Sequence, residues 1–228
     1  MIECHDLSVT LDQTTCLESI NLSMSSTGIT TIVGPNGAGK SVLLKTLAGL
    51  QAPSSGSITL SVKEVGWVPQ SPVLLDRSVY DNLVLPLNLN GITDAQNLAQ
   101  AALDWANIHT LGHSYALRLS LGQQQLVALA RAWALKPKLL LLDEPCASLD
   151  PQRQQHVENL LRELSQQGCK IVMSSHLLSQ AERLADDVVF LDDGRLVIHT
   201  SQAAFFDAQS LQVQPTIRER IEAFIRYA

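Results

Sequence analysis

Residues 34 to 41 read Gly34-Pro35-Asn36-Gly37-Ala38-Gly39-Lys40-Ser41 and fill every fixed position of the pattern G-x-x-x-x-G-K-[ST]. Glycines at such spacing let the backbone turn sharply and bring its N–H groups against phosphate oxygens with no Cβ in the way. A helix beginning near Lys40 would add the positive end of its dipole. Lys40 is then placed to reach β- and γ-phosphates, and the Ser41 hydroxyl to ligate a magnesium ion. The expected ligands are ATP and Mg²⁺.

The run Leu139-Leu140-Leu141-Leu142-Asp143-Glu144 supplies a second half. Four apolar residues suit a buried strand, and its C-terminal end is where open α/β sheets place their ligands. Asp143 is expected to hold magnesium through its water shell. Glu144 is expected to polarise or deprotonate an attacking water. Alone, the two carboxylates would read as a solvated strand end; beside the glycine loop they read as chemistry.

The elements that must position these groups follow from apolar patterning. Ile2 to Thr10, Ser19 to Met24 and Ile29 to Val33 read as strands, the last β-branched and turned in by Gly28. Val42 to Leu50 reads as a helix closed by Gly49 and Pro53. A helical stretch opens at Thr93 to Trp105, with Thr93 as its cap, and continues with breaks to about Leu135. Leu139 to Leu142, Lys170 to Ser174 and Val188 to Leu191 read as core strands. Pro151 to Gln167 is a helix, with proline at its start and Gly168 at its end. The predicted fold is α/β: a P-loop core with a mostly parallel sheet, an N-terminal antiparallel portion and a helical insertion. The last helix places Ile217, Ile221, Phe224 and Ile225 on one stripe, expected to pack on the chain's own core, with a partner surface as the alternative.

Composition narrows the classes. Hydrophobic residues are 46 % and charged residues 17 %, a globular balance, and the formal net charge of −6 argues against a nucleic-acid partner. No secretory leader or membrane span is legible. Cys4, Cys16, Cys146 and Cys169 lack metal or redox spacing and read as small buried thiols of a cytosolic protein.

With these motifs in place, the chain resembles the ATP-binding subunits of ABC transporters over nearly its whole length. Trp67-Val68-Pro69-Gln70 resembles the Q-loop, and Leu119-Ser120-Leu121-Gly122-Gln123 the signature motif. Ser148-Leu149-Asp150 resembles the D-loop, and His176, after Ser174-Ser175, the switch histidine. The resemblance implies one ATPase domain over 1–228, its core at about 1–70 and 136–228 and its helical subdomain at about 71–135. It implies that Gln70 senses magnesium and the attacking water, and that His176 contacts the γ-phosphate beside Glu144. It implies a head-to-tail dimer, a homodimer by expectation, in which Ser120, Gly122, Gln123 and Asp150 close the site on a nucleotide held by the other copy. A transmembrane permease, and an extracytoplasmic solute-binding protein, are implied partners. The chain is accordingly placed on the cytoplasmic face of the inner membrane, peripheral through the permease, as an importer subunit for a small polar solute or inorganic anion. The alternative is a non-transport ATPase of the same type acting on nucleic acid or ribosomes.

Three positions depart from the family pattern. Leu121 stands where a glycine is usual; were positive φ needed there, leucine would cost about 1–2 kcal/mol. Leu126 stands where arginine is frequent, so an ion pair is expected to be missing. Leu11 stands where an aromatic ring usually stacks on adenine, which predicts weak nucleotide affinity and poor base discrimination. The apolar loop from Gln70 to Leu75, with Val73 and Leu74, is expected either to cover the core or to receive a membrane subunit.

Overall fold

The computed structural model describes residues 1–147, 149–207 and 213–227. β1 (Ile2–Leu11) and β2 (Thr14–Met24) form an antiparallel hairpin, and β4 (Ser55–Leu60) pairs with the far edge of β1. Between β2 and β4 lie β3 (Ile29–Val33) and α1 (Lys40–Leu47). The hairpin turns at Asp12 and Gln13, both at positive φ, so its second strand begins five residues before the predicted Ser19.

The main sheet has six strands in the order β5-β6-β7-β3-β8-β9. Here β5 is Val65–Val68, β6 Leu139–Leu142, β7 Lys170–Ser174, β8 Asp187–Asp192 and β9 Arg195–Ser201. All neighbours are parallel except β9, which returns antiparallel on β8. Every residue of β3, β6 and β7 is buried, because helices or the second sheet cover both faces. The period of two divides the leucines of β6: Leu139 and Leu141 join α1 and the antiparallel sheet, Leu140 and Leu142 join the helices on the other face.

Strands β5 and β6 are neighbours in space, yet the chain between them carries α2 (Val79–Leu89), α3 (Ala95–Trp105) and α4 (Leu121–Ala134). The helices share one core through Leu83, Leu87, Ala99, Leu103 and Val127, tied to the sheet by Leu140 and Ile171. α2 went unread in the sequence because Pro86 lies inside it. The cap of α3 is Asp94, not Thr93. α5 (Pro151–Gln166) follows β6 with Pro151 in its first turn, as predicted.

The first helix ends through a Schellman pair. Gly49, at φ +71°, donates to Thr46 O and Leu50 N to Lys45 O, so the helix stops at Leu47 rather than Leu50. β4 and β9 were also missed; β4 is largely exposed without an apolar run, and β9 is half-buried with only Leu196 to Ile198 apolar in a row. Behind the sheet, α6 (Leu178–Leu184), α7 (Gln202–Phe206) and α8 (Pro215–Tyr227) gather on Phe190 and Phe205. Ile221 is fully buried there, with Ile217, Phe224 and Ile225 beside it, so the terminal stripe packs on the chain's own core.

Candidate functional site

The C-terminal ends of β3, β6 and β7 bring the glycine loop, the two carboxylates and the loop of His176 to one edge of the sheet. They border a cavity of about 640 Å³ walled by Cys16, the segment from Asn36 to Val42, Gln70, Glu144 and His176. Gly39 cannot be replaced without movement. It sits at φ +96°, and a Cβ there would lie 2.7 Å from both the Cys16 carbonyl oxygen and Leu17 Cδ2. The loop thus passes directly over β2, with α1 starting at Lys40.

Lys40 is buried, and its Nζ donates to the carbonyls of Gly34 and Pro35 at 2.7 and 2.9 Å. Burial lowers the ammonium pKa, while the negative charges of Glu144 and Asp143 work the other way. Ser41 Oγ donates to Asp143 Oδ1 at 2.9 Å. Ser174 Oγ donates to the same oxygen at 2.7 Å and accepts from the Glu144 backbone N–H at 2.9 Å. Ser174 was read as the end of a core strand and the residue before the Ser175-His176 pair, with no role of its own. Its signal was a hydroxyl ending a buried strand, and it ties the Asp143 carboxylate to the Glu144 backbone.

Glu144 adopts φ +46°, a left-handed conformation that costs a non-glycine residue about 1–3 kcal/mol. That conformation turns its side chain out of the strand line toward the cavity. Gln70 Nε2 donates to Glu144 Oε2 at 3.0 Å, and His176 Nδ1 lies 3.0 Å from the same oxygen. Gln70, Glu144 and His176, separated by 74 and 32 positions, therefore converge on one atom.

The signature residues are elsewhere. Ser120 caps α4 in a capping box: its hydroxyl accepts from Gln123 N, and Gln123 Oε1 accepts from Ser120 N at 3.1 Å. A Cβ on Gly122 would meet Leu149 Cδ2 at 3.0 Å and Arg153 Cδ at 3.4 Å, so this glycine permits the close approach of α4 to α5. Asp150 caps α5, accepting from Arg153 N and its guanidinium at 2.9 and 2.7 Å. The Arg153 backbone donor leads the interactions that hold its carboxyl below the usual range. None of Ser120, Gly122, Gln123 and Asp150 borders the cavity. Ser148 of the D-loop lies outside the described residues.

Leu121 is the first residue of α4 and is not at positive φ, so the strain considered for a leucine there does not arise. Leu126 is buried in the helical core, where an apolar side chain is the fitting one. Leu11 is half-buried against the antiparallel sheet and is not a wall of the cavity. Cys16, expected to be buried, is instead half-exposed on the cavity wall. The other three cysteines are buried, and burial pushes the Cys4, Cys146 and Cys169 thiols up to about 11, 12 and 11.

The donors fit magnesium. A hydroxyl and a carboxylate converge 2.9 Å apart beside the phosphate loop, and Mg²⁺ binds through one or two such oxygens, phosphates and retained waters. No cluster of three His, Cys, Asp or Glu side chains suited to a softer metal occurs among the described residues.

A glycine loop between a buried parallel strand and a helix, facing an Asp-Glu pair at the end of the strand one place removed in the same sheet, defines a P-loop nucleoside triphosphatase. A family model described as ABC transporter matches residues 17–147, more than half of the 228 residues, and the chain belongs to that family. It is an ATP-binding, ATP-hydrolysing cassette that powers a membrane transporter. It is 38 % identical to the tungstate uptake system ATP-binding protein of Peptoclostridium acidaminophilum, over 80 % of this chain and 90 % of that one. Identity is 33 % to a phosphate import ATP-binding protein of Lactococcus lactis, covering 90 % and 91 %. Among solved structures, CbiO1 of Clostridium perfringens, part of the ABC transporter complex CbiONQ, superposes with a TM-score of 0.81 at 27 % identity over 97 % and 98 % of the two chains. No helix among the described residues is long and apolar enough to cross a membrane.

Proposed function

We propose that this chain drives import of an inorganic oxyanion or another small polar solute, with Glu144 as the base that activates water. The observation that carries the residue roles is the single carboxylate oxygen Glu144 Oε2, held at 3.0 Å by both Gln70 and His176 at the mouth of the phosphate cavity. A base must be oriented before its proton affinity matters. Two neighbours on separate loops orient this one.

The backbone N–H groups from Asn36 to Ser41 and the start of α1 receive the phosphates of ATP. Lys40 exchanges the Gly34 and Pro35 carbonyls for the β- and γ-phosphates, its charge supported by Asp143 and Glu144. Ser41 and Asp143 would hold Mg²⁺, with Gln70 reaching its water shell; the ion supplies charge neutralisation at the phosphates. Glu144 takes the proton of the attacking water, and His176 stabilises the γ-phosphate from the same side.

Ser120, Gly122, Gln123 and Asp150 do not wall their own cavity, which is why the site is completed by a second copy of this chain. The capped start of α4 offers an N-terminal dipole to that copy's γ-phosphate. Val73 and Leu75 remain exposed on the loop after Gln70, while Leu74 enters the core. That loop is the dock for a permease subunit, so the chain works at the cytoplasmic face of a membrane without spanning it. The oxyanion reading draws on the named solutes of the tungstate and phosphate relatives. An extracytoplasmic binding protein would complete the system.

Glu144→Gln tests the chemistry. Turnover of Mg-ATP is expected to fall by at least 10³-fold while the variant accumulates as an ATP-bound dimer in size-exclusion chromatography. Turnover at the wild-type rate would remove Glu144 from the role of base.

A further inference from the structure

Gln125, on the inner face of α4, is 5 % exposed, and its Nε2 has no hydrogen-bond partner among the described residues. A buried amide left unpaired is costly and uncommon in a folded chain. Gln125 lines a small, partly open space of about 10 Å³ whose other walls include Gln70, Glu144, Leu121 and Leu149. That is room for about one water molecule, and a water persists where it finds two to four polar partners. Gln125, Gln70 and Glu144 are the polar residues that border that space.

We infer that Gln125 is a positioning residue for ATP hydrolysis, holding one ordered water against the Gln70–Glu144 pair from the signature helix. Leu121 and Leu149 form apolar walls of that space, which leaves the polar side chains as the water's partners. The arrangement gives α4 a physical link to the base. Ser120 caps the same helix, so a phosphate that engages Ser120 pulls on the element that carries Gln125. The leucine at position 121 acquires a purpose here, because a glycine would leave this space without one of its walls.

This inference rests on the roles proposed for Gln70 and Glu144. The test uses the full chain and Gln125→Met, which keeps the side-chain length and removes the amide. The kcat for Mg-ATP is expected to fall about tenfold, with KM changed less than twofold and the melting temperature unchanged or raised. A kcat within twofold of wild type overturns the inference, as does a parallel loss of kcat and thermal stability. A high-resolution crystal structure of the wild-type chain reads the same point independently of activity. It is expected to hold a water bonded to the Gln125 amide and to Gln70 or Glu144, and a dry cavity overturns the inference. If the wild-type chain hydrolyses no ATP, the proposed chemistry fails, while the position of the water still decides the placement of Gln125.

Discussion

His176 Nδ1 lies 3.0 Å from Glu144 Oε2, although the two residues end different strands and are 32 positions apart. The contact joins a partly exposed imidazole to a largely buried carboxylate, with side-chain exposures of 43 % and 16 %. It orients the carboxylate without removing it from the cavity.

Replacing His176 by alanine therefore removes an orienting partner and leaves the phosphate loop intact. The kcat of Mg-ATP hydrolysis is expected to fall by about 10²–10⁴-fold, the range for a group acting in proton transfer or charge stabilisation. ATP affinity, read by equilibrium titration, is expected to stay within about threefold, since the loop and Lys40 are untouched.

Ser174 holds Asp143 and the Glu144 backbone with one hydroxyl. Ser174→Ala leaves a buried N–H and a carboxylate oxygen each short of a partner, at a cost of about 1–3 kcal/mol. Chemical denaturation is expected to show that loss, and steady-state kinetics a lower kcat, because the strained Glu144 backbone loses its anchor. Unchanged stability would mean that water replaces the hydroxyl without penalty.

Leu121 begins α4 in helical conformation. Leu121→Gly accordingly relieves no strain and is expected to lower stability by up to about 1 kcal/mol, the helix-propensity cost of glycine. A gain in melting temperature would show that the leucine is strained after all.

A pH dependence arises at the opposite end of the sheet from the cavity. Burial works to raise the Asp187 pKa, but its hydrogen bond from His199, the charge of Lys170 and the Thr30 hydroxyl outweigh that and hold it below the ordinary carboxylate value. The Lys170 side chain is 2 % exposed and 3.7 Å from Asp187. A folded pKa below the unfolded one stabilises the chain above the unfolded value of about 3.9, and the contribution is lost as pH falls through the folded pKa. Asp187→Asn is expected to destabilise the chain by about 3–5 kcal/mol at pH 7, where it strands the Lys170 ammonium. The difference from wild type in pH-dependent denaturation is expected to narrow in acid. A constant difference across pH would assign the loss to packing alone.

The strands and helices were legible where burial on both faces leaves an unbroken apolar run, as in Leu139 to Leu142, or where capping chemistry marks an end, as in Pro151 to Gly168. β4 and β9 were not, since edge strands that are not buried on both faces need no long apolar run and owe their form to the neighbour they pair with. α2 was masked by Pro86, whose local penalty is offset by the buried Val79, Leu83 and Leu87.

The phosphate loop was readable because its chemistry is local: eight consecutive residues carry the donors, the turn-forming glycines and the helix start. Asp143 and Glu144 were readable because a carboxylate pair interrupts an apolar strand. No neighbour in the chain announces that Gln70 and His176 share one oxygen of Glu144, or that Ser174 braces the Asp143 carboxylate and the Glu144 backbone. The parallel pairing of β6 with β7, which sets Leu142 beside Met173, brings those loops together. The amino-acid sequence thus determined where the glycine loop proposed to bind phosphate lies and where the acidic pair stands. Tertiary structure decided which oxygen of Glu144 is shared by Gln70 and His176 and that Leu121 is helical and unstrained, since distance and backbone conformation at those points depend on strands and helices far apart in the chain.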